Sequence, residues 1–186
     1  MQIASRTLLL LSLTCFLLIS SQPAEASASP RISTIAVVLL GSLEFQQPDY
    51  YTLAAENLTP SFPSDSFRLF VGDYSQTLFE RYCDKKGLLP GEIPDEAKLI
   101  EFAWLHSFDK VIFLMLKTPI VTAEELPLHW ENSRATLTVR AISVESRNKK
   151  KTADAKTTQS VEDRARGPAK RSVFQKCLEN IRGQLR

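Results

Sequence analysis

The chain has 186 residues, 44% of them hydrophobic and 24% charged, with 23 Lys/Arg against 21 Asp/Glu and only six glycines. A chain of this length suits one domain, which buries roughly 70% of its unfolded surface and needs no staples. Six glycines make a phosphate cradle hard to build, and HExxH, GxSxG and nucleotide-type glycine motifs are absent from the sequence, which excludes the enzyme classes those motifs mark.

In chain order, Arg6 precedes an apolar run from Leu8 to Ile19, and Ala24-Glu25-Ala26 follows a short polar stretch. This pattern predicts a secretory signal peptide over Met1–Ala26, cleaved after Ala26 or, alternatively, after Ala28. The run is shorter than the ~20 residues that span a bilayer. Cys15 lies within it, with apolar residues following, unlike a lipid-attachment cysteine. Residues 27–186 are expected to form a single globular α/β domain, exported to the periplasm or outside the cell. No transmembrane anchor is expected after the leader, because the longest later apolar run, Val111–Leu116, is strand-sized.

Ile35–Leu40 is a continuous apolar run stopped by Gly41, as in a strand covered on both faces. Asp49–Leu58 reads as a short helix ended before Pro60. Phe67–Val71 is a second strand, bounded by Gly72. Asp73 is placed to cap a helix to Lys86, with Gln76 positioned for a capping box, Tyr74, Leu78 and Tyr82 as its stripe, and Gly87 as its stop. Asp95–Ser107 is the clearest helix, with Ala97, Ile100, Ala103 and Trp104 as its stripe and Leu99, Phe102 and Leu105 widening the arc.

Val111–Leu116 is expected to be the central strand. Ala135–Glu145 alternates until a phase slip between Ala141 and Ile142, which predicts a bulge or strong twist. Ser146–Lys149 is a turn. Lys151–Ser160 alternates too, with Ala153, Ala155 and Thr157 on one side, and is lysine-rich like a protected edge strand. Gly167-Pro168 opens a last helix with Phe174, Cys177 or Leu178, Ile181 and Leu185 as its apolar stripe. The segment Pro119–Ser133 has no clear pattern, and Trp130 could already belong to the hairpin strand. The resulting βαβααβ unit, followed by an antiparallel hairpin and a C-terminal helix, predicts a mixed sheet with helices packed on it.

Residues 27–146 carry 10 Lys/Arg against 16 Asp/Glu, whereas residues 147–186 carry 12 against 4. Such asymmetry marks either a surface for anionic partners or simply solvated bases on a hairpin tip and an exposed helix face. As a contact surface it comprises Lys149, Lys150, Lys151, Lys170 and Arg171. Cys83 and Cys177 could pair in an exported protein, closing a loop worth about 4 kcal/mol. Each also falls on an apolar helix face, where a buried thiol is ordinary. His106 closes a helix and could meet its C-terminal dipole. His129 lies between Leu128 and Trp130, and neither histidine has a second ligand at zinc spacing. The adjacent acids Asp95-Glu96 and Glu124-Glu125 point apart and suit helix or turn starts. No cofactor and no metal are expected. Basic residues without interleaved aromatics, in an exported chain, point away from nucleic acid.

The stretches Thr34–Leu40, Phe108–Leu114 and Leu137–Val144 resemble the corresponding parts of the TolB amino-terminal domain and the globular domain of the curli secretion channel. The chain differs from that pattern at Leu40-Gly41-Ser42 and Arg147-Asn148. The resemblance implies an assembly or interaction module and brings no catalytic residues with it. The expectation is therefore a non-enzymatic cell-envelope protein that binds another envelope protein, with its oligomeric state open. The alternatives are a hydrolase using a dispersed Ser or carboxylate, and a peripheral binder of anionic lipid or lipopolysaccharide through the basic end.

Overall fold

The computed structural model describes residues 31–185, except 42, 90–91, 118–133 and 163–165. The expected leader with its cleavage sites, Pro119–Ser133, Glu124-Glu125 and His129 lie outside the described residues. No helix among the described residues is long and apolar enough to cross a membrane.

Ser33–Gly41 (β1), Phe67–Val71 (β2), Lys110–Lys117 (β3), Arg134–Glu145 (β4) and Lys150–Glu162 (β5) form one sheet in the order β2-β1-β3-β4-β5. β1 pairs in parallel with β2 and β3, while β3–β4 and β4–β5 are antiparallel. The most apolar run thus occupies the middle strand, as its two-sided hydrophobicity requires. Among the described residues, four helices cover the sheet: Pro48–Leu58 (α1), Asp73–Lys86 (α2), Glu96–Leu105 (α3) and Arg166–Gln184 (α4).

Alternation along the strands divides the core in two. Ile35, Val37 and Leu39, with Ile112, Leu114, Leu116, Leu137, Val139 and Ala141, pack against α1 and α4. Ala36, Val38 and Leu40, with Val111, Phe113, Met115, Ile142 and Val144, pack against α2 and α3. Cys177 belongs to the first layer, whereas Cys83 packs against the second, and both are free thiols. The bridge considered between them is not formed, because the sheet separates the two residues.

Five local expectations are corrected. Gly72, with φ +99°, takes the cap position of α2, and Asp73 is already helical. Gln76 does not close a capping box. β2 ends at Val71, opposite Val37, so on that side β1 runs on without a strand, while β3 still pairs with its other edge. Ser75 Oγ donates to the Val37 carbonyl (2.7 Å) and Gln76 Oε1 accepts from the Leu39 N–H (3.2 Å), supplying the partners β2 no longer provides. Reaching β1 in this way rotates α2, burying Ser75, Gln76, Phe79 and Tyr82 and leaving Tyr74 60% exposed.

The stripe of α3 is also turned: Leu99, Phe102 and Ala103 are buried, while Trp104 is 54% exposed. Asp95 caps this helix by accepting from the Lys98 N–H at 2.9 Å. In β4 the alternation runs unbroken through Ala141 and Ile142, because both faces are covered there. The irregularity falls between Ser143 and Val144, whose partners are Ala153 and Lys151, so Thr152 is the extra residue and the bulge belongs to β5. The edge of β5 is protected at Asp154, where the Gln184 amide accepts from the backbone N–H (3.1 Å) and donates to the carbonyl (3.4 Å).

Candidate functional site

In open α/β sheets, ligands settle beyond the carboxyl ends of parallel strands, where the strand order reverses. Here that place is the end of β1 beside β3. Gly41 closes β1 with φ +119°, so tight against β3 that an added Cβ would lie 2.5 Å from the Leu116 carbonyl oxygen. The chain then turns through a 3-10 segment, Leu43–Gln46. Phe45 is buried against Tyr50 and Phe174, with ring centroids at 5.0 Å from each, whereas Leu43 stays 79% exposed.

Across from this turn, α2 presents Phe79, Glu80, Cys83 and Asp84, and the following stretch brings Leu88, Leu89 and Glu92. Together with Gly41 and Leu43 they enclose a groove of about 650 Å³. Phe79 is buried, and Leu43 and Leu89 are 79% and 72% exposed. Three carboxylates rim the groove, and none of its described lining residues is Lys or Arg. Gln76 Nε2 donates to Glu80 at 3.4 Å, and Glu92 accepts from the Leu89 N–H at 3.0 Å, so two of the acids are anchored. Burial, reinforced by Asp84, Glu80 and Glu92, pushes the Cys83 thiol up to about 11. It is therefore protonated at neutral pH and a poor nucleophile. The groove is suited to holding an apolar group flanked by positive charge rather than to covalent chemistry.

The five basic residues expected to act together are dispersed. Lys149 lies in the β4–β5 turn, with Nζ 4.8 Å from the Trp104 ring centroid, and Lys150 begins β5. Lys151 is committed to Asp154 and Glu96, each at 3.1 Å. Arg171 is paired with Asp49 between α4 and α1, and Lys170 lines the depression between the same helices. The two groups lie near opposite ends of β5, whose 13 residues span ~40 Å at ~3.3 Å each. The expectation of a single basic end is corrected accordingly, since the hairpin and the returning helix carry its charges apart.

His106 follows α3, with its ring 4.8 Å from the Phe102 ring centroid. Burial, aided by Lys85, lowers its pKa, which favours neutral imidazole over the cation a helix dipole would attract. Among the described residues, no cluster of three His, Cys, Asp or Glu could hold a metal ion.

Asp154 shows where an ion pair does matter. Arg140 bonds it through Nε (2.8 Å) and a terminal nitrogen (2.5 Å), and these bonds, with Lys151 adding to them against the cost of burial, hold its carboxyl at about 2. A carboxyl with a depressed folded-state pKa contributes stability above its unfolded value and loses it as the pH falls through the folded one. The Arg140 side chain is 45% exposed and Asp154 29%, so solvent screening reduces the contribution to about 1 kcal/mol. In urea unfolding, Asp154→Asn should cost that much at pH 7 and progressively less between about pH 4 and pH 2. A cost independent of pH would remove the ion pair as its cause.

No protein-family model matches the chain, and no curated protein sequence matches it. Among solved structures, it is similar to the PelC dodecamer from Paraburkholderia phytofirmans, at 14% identity over 83% of this chain and 87% of that one, with a TM-score of 0.41. It is also similar to lipoprotein GNA1162 from Neisseria meningitidis, at 17% identity over 77% and 96%, TM-score 0.34. The LpoB C-terminal domain from Escherichia coli matches at 14% identity over 77% and 93%, TM-score 0.34. The functional reading rests on the groove rather than on these likenesses.

Proposed function

We propose that this chain is an exported binding module of the cell envelope, whose acid-rimmed groove holds an apolar, positively charged segment of a partner polypeptide. Residues 1–26 act as the export signal, and residues 27–186 are the working domain. The observation that carries this reading is the pair Leu43 and Leu89, 79% and 72% exposed beside one concave groove. Fully burying a leucine is worth about 1.5–3 kcal/mol, so two such side chains supply a substantial part of an interface. The carboxylates of Glu80, Asp84 and Glu92 select for positive charge and steer its approach.

Site-specific photocrosslinking in the native host tests the proposal. A crosslinker replacing Leu43 or Leu89 should capture one dominant polypeptide, and one replacing Glu56, on the exposed face of α1, should not. Glu80→Lys combined with Glu92→Lys should cut that yield about tenfold, as expected when rim charge is reversed. The same products from Glu56, or a yield indifferent to charge reversal, would reject the groove as the contact.

A further inference from the structure

α3 ends with Trp104 and Leu105 turned outward, 54% and 49% exposed, although Phe102 and Ala103 beside them are fully buried. Lys149 stands over the indole at 4.8 Å from its centroid. The backbone is bent on both sides of this contact. Ser107, just beyond α3, has φ +56° and Lys149 has φ +48°, and these are the positive-φ residues other than glycine among the described residues. Such conformations cost free energy and persist where the surroundings impose them, often at functional positions.

Arg147, Lys149 and Lys150 are exposed in and beside the same turn. The nearby acids are engaged: Glu96 with Lys151, Glu101 with Lys86, and Glu145 with Asn148. Glu145, bonded to a neutral amide, keeps its charge, but Arg147, Lys149 and Lys150 outnumber it, so the turn carries a net positive charge.

We propose that this end of the molecule, formed by Trp104, Leu105, Arg147, Lys149 and Lys150, rests on a surface of anionic lipid. An indole carrying a cation over its face, next to an exposed leucine, has the amphipathic character of side chains that settle at headgroup level. Three surrounding cations match the negative potential of such a surface. None of the five residues lines the groove, so a module held on lipid in this way keeps the groove open to its partner.

The test is sedimentation of the exported protein with vesicles of 30 mol% phosphatidylglycerol in phosphatidylcholine at low salt, beside vesicles of phosphatidylcholine alone. Binding is expected with the anionic vesicles and should weaken as salt is raised. Each cation near such a surface contributes about fivefold, so Arg147→Glu, Lys149→Glu and Lys150→Glu together should weaken binding by about a hundredfold or more. In a Trp130→Phe background, Trp104 emission should shift to the blue on binding. Trp104→Ala should weaken binding while leaving the thermal midpoint close to that of the parent.

Absence of binding to anionic vesicles would overturn the proposal, and so would equal binding to neutral ones. Binding without a shift in Trp104 emission, or a triple variant that binds like the parent, would overturn it too, because another face would then be the one in contact.

Discussion

Replacing Phe102 by alanine is expected to destabilise the protein by about 3–5 kcal/mol, in the range found for emptied aromatic core sites. The ring is fully buried, with centroids at 5.0 Å from Phe79, 5.5 Å from Tyr82, 6.0 Å from Phe113 and 6.2 Å from Phe108. It joins α2, α3 and the middle strand, so its loss leaves a cavity walled by aromatics that cannot collapse independently. For a chain of this size the melting midpoint should fall by about 10 °C. Phe102→Leu keeps most of the apolar volume and should cost far less, about 1.5 kcal/mol. Two residues along, Trp104→Ala should stay within about 0.5 kcal/mol, since an exposed side chain has little packing to lose. Urea unfolding of the three variants checks the series, and a larger loss at Trp104 than at Phe102 would show that α3 docks by its other face.

Gly41→Ala should cost about 3 kcal/mol or more, for two separate reasons. A φ of +119° is a conformation that L side chains rarely adopt, worth about 1–3 kcal/mol of strain. In addition, the new Cβ would stand 2.5 Å from the Leu116 carbonyl oxygen, a backbone atom in the middle strand that cannot step aside without disturbing the sheet. Gly72 and Gly87 separate the two causes. They have φ +99° and +67°, yet a Cβ at either would meet nothing within 4 Å. Gly72→Ala and Gly87→Ala should therefore show the backbone cost alone, about 1–3 kcal/mol each. Thermal melts of the three variants would expose the difference. Equal losses at all three positions would mean that β1 does not press on β3 at Gly41. Because Gly41 also forms part of the groove, its alanine variant should lose crosslinking from Leu43 in parallel with stability.

The elements themselves were legible in the sequence, because their causes are local. A continuous apolar run produces a strand buried on both faces, and Val111–Leu116 indeed became the middle strand. Gly87 stops α2 in the left-handed conformation, with φ +67°, as a residue without a Cβ can. Phe67–Val71 and Asp73–Lys86 have the observed bounds for the same reason.

Tertiary contacts decided which side of each helix is buried, where the bulge lies and which charges meet. α2 is rotated by hydrogen bonds that β1 needs beyond the end of β2, a demand written nowhere in the periodicity of residues 73–86. α3 turns Phe102 inward because rings from three other segments wait there, and this leaves Trp104 outside. The groove combines Gly41 and Leu43 with Cys83 and Leu89, about forty residues further on, and the only local signs of it were a glycine ending a strand and two leucines outside any stripe. The basic residues were close in sequence count but not in space, because an extended 13-residue strand carries the charge at its start far from the helix that follows. Sequence order specifies each element through its own residues; the sites arise only when the sheet brings distant elements together.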